Sequence, residues 1–328
     1  MRDSFNIRRY PLPVGLLVAF LFISSFCCGV TPFVESLSEC YISTTLFGEN
    51  GLLLKPWFSV LLGTCAIAGI AMMIYSFISS FSAGINFVVP IAFAAFALFD
   101  PRMIFFTDIH AAAILMMGAA VMSIRFVTEA RNNDDIFISM FLLSCASLFF
   151  EPLLWLAPAM VLANLREDAI KIIATALTGL AVPLVLVASV LYIFKGAEPA
   201  IAALAAYGEA LVTPEFGMAE VNATSLFRIT LMALVVIAAC ATFLRHINTS
   251  SIVRFRALVR VIIYMVATIA VLLIFGMDHM PRIRLLLCIP SSILIFEYIS
   301  TEASRKVGSR IVALLLIALI VERIQFFL

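Results

Sequence analysis

The chain has 328 residues, of which 64% are hydrophobic and 12% charged, with a net charge of +1. A soluble domain of this size carries about twice that share of charge, so the composition excludes a soluble fold and points to a polytopic membrane protein; the mean hydropathy of +1.14 agrees. No basic run or aromatic-interleaved patch suits a phosphate backbone, which sets nucleic acid aside as a partner.

At the amino terminus Arg2, Arg8 and Arg9 precede an apolar run from Val14 to Phe26. This predicts an uncleaved first span, because Phe26 before Cys27 suits neither a lipoprotein box nor a small-residue cleavage site. On the scale of about twenty apolar residues per crossing, spans are expected at 12–30, 57–78, 84–99, 103–124, 171–194, 226–244, 260–276, 284–300 and 310–328. Seven cysteines are scattered through apolar runs with no Cys-X-X-Cys pair, and read as small core residues.

The segment 136–164 is long for one span, short for two, and interrupted by Glu151-Pro152. Charge bias decides it. If the segment is a bent hairpin, the loops 1–10, 125–135, 165–171, 245–260 and 302–310 share one face and hold 14 of the 21 Lys and Arg, the bias expected of a cytoplasmic side. A single crossing would send Arg245, Arg254, Arg256 and Arg260 outside. The expectation is therefore an all-α, polytopic transmembrane helical bundle of about 10–11 membrane segments, one a bent short-helix hairpin with proline at its bend. Residues 1–328 form a single integral membrane domain in a bacterial inner (plasma) membrane, with the amino terminus cytoplasmic.

Two outer loops exceed simple connectors. Residues 31–56 carry Glu35 and Glu39 at i, i+4 spacing, which puts both carboxylates on one face of a short helix. Residues 195–225 are alanine-rich from Glu198 to Leu211, and a helix lying on the membrane surface is expected there.

The stretch Phe99 to His110 places Asp100, Arg102, Asp108 and His110 at the mouth of a span. Ionisable groups there need water, each other, a metal or an anionic ligand. Asp108 and His110 are candidate ligands for Mg or Mn, but residues two apart share an ion only if the helix starts after Asp108. The alternative is a hydrogen-bonded structural histidine. Arg282 and Arg284, in an outer loop against the charge bias, suit a lipid phosphate or pyrophosphate; pairing with Asp278 or head groups is the alternative. Glu151, flanked by Phe149, Phe150, Pro152 and Leu153, suits a general acid or proton carrier if buried, whereas the preferred reading has it pointing into water at the bend.

Taken in order, these pieces resemble the GT-C-type glycosyltransferases, which use polyprenyl-phosphate-linked donors. An acidic first loop (Glu35, Glu39) leads to Lys55-Pro56-Trp57, and a turn carries Pro101 and then Asp108-Ile109-His110. A run from Ala146 to Leu153 stands where that family has a short-helix hairpin, and Pro281-Arg282-Ile283-Arg284 begins an arginine-bearing approach to Pro290. The resemblance implies that Glu35 or Glu39 is the catalytic or metal-organising acid. It makes Asp108, with His110, a second-loop ligand or acceptor-positioning group, and has Arg282 or Arg284 hold the lipid phosphate. In length and texture the chain also resembles uncharacterised multi-spanning bacterial inner-membrane proteins.

The resulting expectation is a membrane glycosyltransferase that draws a polyprenyl-phosphate sugar from the lipid phase on the non-cytoplasmic face, with membrane lipid and a second membrane protein as partners. Its alternatives are a non-catalytic envelope-assembly subunit and a transporter or lipid flippase.

Overall fold

The computed structural model describes residues 56–79, 93–94, 96–98, 101–128, 133–165, 168–213, 252–275 and 285–294, with single positions 233, 237, 240, 241 and 317. The expected span at 12–30, almost all of 226–244 and 310–328, and parts of 84–99 and 284–300 lie outside the described residues. Every regular element among the described residues is helical. Three helices are long and apolar enough to cross a membrane, over Phe58–Ile78, Asp108–Phe126 and Ala169–Lys195, and they make the chain a membrane protein.

Helix α1 (Pro56–Ser79) opens on a proline, whose missing N–H costs nothing in a first turn. Its start is tied to the segment that leads into α2. The Phe106 N–H donates to the Ser59 carbonyl at 3.0 Å. An ideal Cβ on Gly63 would lie 2.1 Å from the Ile104 carbonyl oxygen, so only glycine permits this approach.

Helix α2 (Asp108–Thr128) follows a 3-10 turn at Pro101–Ile104. The span expected at 103–124 therefore begins five residues late, because Phe106 is bonded through its backbone to Ser59 of α1 and the helix starts only after Thr107. Helix α3 (Asn133–Ser147) starts with Asp134 and Asp135 in its first turn, where carboxylates favour the positive pole. It runs antiparallel to α2, with the Ser139 hydroxyl donating to the Ala119 carbonyl at 2.7 Å.

After α3 the chain turns through Phe150, which is extended, and a 3-10 turn at Glu151–Trp155, then returns as α4 (Leu156–Asn164). Asn164 Nδ2 donates to the Ser123 hydroxyl at 2.7 Å, so α4 ends beside the part of α2 near which α3 began. Both arms of 136–164 thus reach the same end of the bundle. We call it the arginine end, and the opposite one the Asp108 end.

Helix α5 (Ala169–Lys195) leaves the arginine end parallel to α3. Gly179 meets Phe137 and Met140, and the Ser144 hydroxyl donates to the Leu180 carbonyl at 2.8 Å. One residue, Gly196 at φ +93°, then separates α5 from α6 (Ala197–Val212). Leu191 packs with Ala200 and Ala203, and Leu184 with Tyr207, so α6 doubles back along α5. This corrects the expectation of a helix lying flat on the surface. The alanine face at 200 and 203 is small enough to pack closely on its neighbour.

Helix α7 (Ile252–Phe275) begins eight residues before the expected span at 260–276. It runs antiparallel to α4, with Arg260 beside Asn164 and the Phe275 ring 6.3 Å from that of Trp155. A short apolar helix, α8 (Leu285–Leu294), packs into the same core.

Candidate functional site

Glu35, Glu39, Asp100, Arg282 and Arg284 lie outside the described residues. Arg102 sits in the 3-10 turn Pro101–Ile104. The structure describes Asp108, His110 and Glu151 in full, and all three are buried.

Thr107 precedes the first residue of α2 and serves as its cap. Its carbonyl accepts the His110 N–H at 2.9 Å. In return, His110 Nδ1 accepts the Thr107 backbone N–H at 3.3 Å and lies 3.1 Å from the Thr107 hydroxyl. This is one half of a capping box, the bond from the N-cap backbone N–H to the N3 side chain, with histidine in the place of the usual Glu or Gln. Since a backbone N–H only donates, Nδ1 must be the bare nitrogen; the proton is on Nε2, which donates to the Met103 carbonyl at 2.8 Å. The ring also stacks on Phe106 with centroids 5.9 Å apart.

Those bonds bear directly on the expected Mg or Mn site. Both ring nitrogens of His110 are occupied, and a cation at Nδ1 would have to displace the helix cap. The helix also includes Asp108, so Asp108 and His110 point about 200° apart around its axis and cannot share one ion. Among the described residues no group of three His, Cys, Asp or Glu side chains could hold a metal. In this structure His110 is bonded as the structural alternative describes.

Asp108, only 6% exposed, stands in the first turn of α2, where the helix pole favours its charge. Glu151, 9% exposed, does not point into water as preferred from the sequence. It is the first residue of the 3-10 turn, and with Pro152 and Leu153 it forms the buried start of the bend, whose last residue, Trp155, is exposed. The antiparallel pairing of α2 and α3 puts both acids toward the same end of the bundle. Asp108 is eleven residues before Ala119, and Glu151 twelve after Ser139, the pair that bond across the two helices.

Helix α6 spans that bend. Tyr207 Oη and Ser147 Oγ are 2.7 Å apart on one side of it, and Trp155 Nε1 donates to the Leu211 carbonyl at 3.0 Å on the other.

A second polar centre, at the arginine end, was not anticipated. Arg260 is 6% exposed and is a helix-interior residue, not part of a basic loop. Its Nε donates to Asn164 Oδ1 at 3.2 Å, Nη1 to the Arg256 carbonyl and Nη2 to the Ala163 carbonyl, each at 2.9 Å. Asn164 passes the chain of bonds to Ser123, whose hydroxyl also pairs with Tyr264 Oη. The sequence signal was a lone asparagine in an apolar run, Val161 to Leu165, that lacks any other polar residue.

Between these centres lies a small apolar cavity of about 30 Å³. Its walls include Met116 and Ile124 of α2, Leu156 and Met160 of α4, and Val261 and Thr268 of α7.

No curated protein and no solved structure matches the chain. A family of unknown function, DUF6427, matches residues 41–327, and the chain belongs to that family.

Proposed function

We propose that this protein is a GT-C-like membrane glycosyltransferase of the bacterial inner membrane, drawing a polyprenyl-phosphate-linked sugar on the non-cytoplasmic face. The observation that carries the reading is the burial of two carboxylates, Asp108 and Glu151, toward one end of the bundle. Carboxylates are seldom kept out of water without a ligand, a partner or a proton to handle. In this reading the amino terminus is cytoplasmic and the Asp108 end faces outward.

In the proposed reaction the acceptor hydroxyl oxygen attacks the anomeric carbon, and the bond from that carbon to the lipid phosphate breaks. The hydroxyl proton passes to a carboxylate, Glu35 or Glu39 of the first loop or Asp108, and the phosphate leaves with the bond's electron pair. Arg282 and Arg284 hold the departing phosphate as guanidinium forks. A divalent ion would add charge stabilisation at that phosphate, and His110, with both nitrogens bonded, is not its ligand.

The test is native mass spectrometry of the purified protein with a polyprenyl phosphate, for wild type and Arg282→Ala/Arg284→Ala. Retained lipid that is lost in the double variant supports the donor site. Cellular glycan profiles unchanged by Glu35→Gln, Glu39→Gln and Asp108→Asn in folded protein would remove the catalytic reading.

One observation favours a second reading, a non-catalytic envelope-assembly subunit. His110, expected as a metal ligand, is used for capping a helix. That reading predicts stable co-purification with a membrane-protein partner and tolerance of every acid substitution above.

A further inference from the structure

The hydrophobic core divides along α5. Ile172, Ala176 and Leu180 belong to the main core, and Gly179 is seated so closely on α3 that a Cβ there would lie 2.7 Å from the Phe137 carbonyl oxygen. Beyond Leu180, no described residue of α5 joins that core. Leu184, Val187 and Leu191 pack instead with Ala200, Ala203, Tyr207 and Leu211 of α6, in two small clusters of their own.

Pro183 stands at the division, buried inside the helix. It has no N–H to give the Gly179 carbonyl, and its ring crowds that carbonyl, so α5 lacks one of its own bonds at the point where a helix bends most readily. The Ser144 hydroxyl ties the Leu180 carbonyl to α3 at 2.8 Å, on the fixed side of the proline. On the other side, Leu184 to Lys195 and α6 are joined by Gly196 and packed on each other, which makes them one body. A turn of about 20° at Pro183 would sweep the end of this arm, about 17 Å long, through about 6 Å.

That body lies against the turn that begins with the buried Glu151. Leu148 packs on Tyr207 there. The Ser147 hydroxyl gives its hydrogen to the Ser144 carbonyl, so the Tyr207 hydroxyl is the donor to Ser147. The second bond, from the Trp155 indole, goes to the Leu211 carbonyl.

We propose that Pro183 is the hinge of a lid, residues 184–212, that closes over the bend and keeps Glu151 from water. Hinges of this kind sit where two separately packed bodies share one weakened stretch of chain. The lid rests on packing and does not depend on the proposed sugar transfer.

The test uses double electron–electron resonance on the full-length, cysteine-free protein, with one spin label at exposed Ile201 of α6 and a second at exposed Met72 of α1 or Leu162 of α4. Tyr207→Phe/Trp155→Phe deletes both bonds to the bend. It is expected to raise the open population about twentyfold and to add a second distance, about 5 Å from the first, in at least one pair. Adding Pro183→Ala, which restores the N–H, returns a single distance. Labels at Ile193 and Ile201 keep one distance throughout, because the lid moves as one body. A single distance for both pairs in the Tyr207→Phe/Trp155→Phe protein overturns the lid. A second distance that survives Pro183→Ala, or that appears between Ile193 and Ile201, overturns the hinge at 183. Glu151→Cys should react with a water-soluble maleimide about twentyfold faster once both bonds are deleted, and an equal rate overturns Glu151 as the covered group.

Discussion

Arg260 and Asn164 stand 96 residues apart in the chain and 3.2 Å apart in the fold, joining α7 to the end of α4. A buried guanidinium that loses an acceptor keeps the cost of leaving water. Asn164→Leu is therefore expected to destabilise the protein by about 1–3 kcal/mol. Arg260→Met in the same background should return part of that loss, because the two substitutions remove both members of the pair. Unfolding in detergent by all four members of the double-mutant cycle measures the coupling, and strictly additive losses would contradict it.

Gly63 and Gly69 lie on the same helix and make opposite predictions. A Cβ at 63 would be 2.1 Å from the Ile104 carbonyl, whereas one at 69 meets nothing within 4 Å. Gly63→Ala is expected to cost about 1–3 kcal/mol by forcing α1 off the 101–106 segment. Gly69→Ala should be neutral or stabilising by up to about 1 kcal/mol through its helix propensity. Thermal denaturation in the same micelle compares them.

For His110 the prediction separates a cap from a metal ligand. His110→Ala removes the acceptor for the Thr107 N–H and the donor to Met103, and should lower stability by about 1–3 kcal/mol. Millimolar Mn or Mg should leave the melting temperature of wild type and variant unmoved if His110 serves only as cap. A wild-type rise that His110→Ala abolishes would restore the ligand role.

How α6 is held over the bend can be read by hydrogen exchange. Tyr207→Phe deletes the bond to Ser147, worth about 1 kcal/mol, so amides of residues 200–212 should exchange about fivefold faster. Unchanged exchange there would mean that packing on Leu184 and Val187 alone fastens the helix.

The long apolar helices were legible because length and hydropathy suffice for them: 57–78 appears as Pro56–Ser79, and 171–194 as Ala169–Lys195. The break at Glu151-Pro152 was legible because a proline beside an acid inside an apolar run disfavours helix continuation, although α5 carries Pro183 in its interior. What escaped were partnerships between single polar residues far apart in sequence. Ser123, Asn164, Arg260 and Tyr264 each look incidental in their own helix, and no periodicity records that packing brings them together. Arg260 looked like loop charge because hydropathy scores the side chain and not its neighbours. The start of α2 had a readable signal, a threonine three residues before a polar side chain, obscured because histidine is an unusual member of a capping box.

The reversal at the bend also constrains how the chain is assembled. Helix α3 has 15 residues and α4 has 9, so they reach about 22 Å and 14 Å. Neither arm spans a hydrocarbon layer of about 30 Å. Released singly into lipid, the pair would leave the Trp155 indole N–H amid acyl chains without the Leu211 carbonyl that accepts it. That acceptor arrives only with α6, folded against α5, although both helices are synthesised later. The early-made half of the protein must therefore await its successor at the insertion machinery, and a chain truncated before residue 213 should be a substrate for membrane proteolysis.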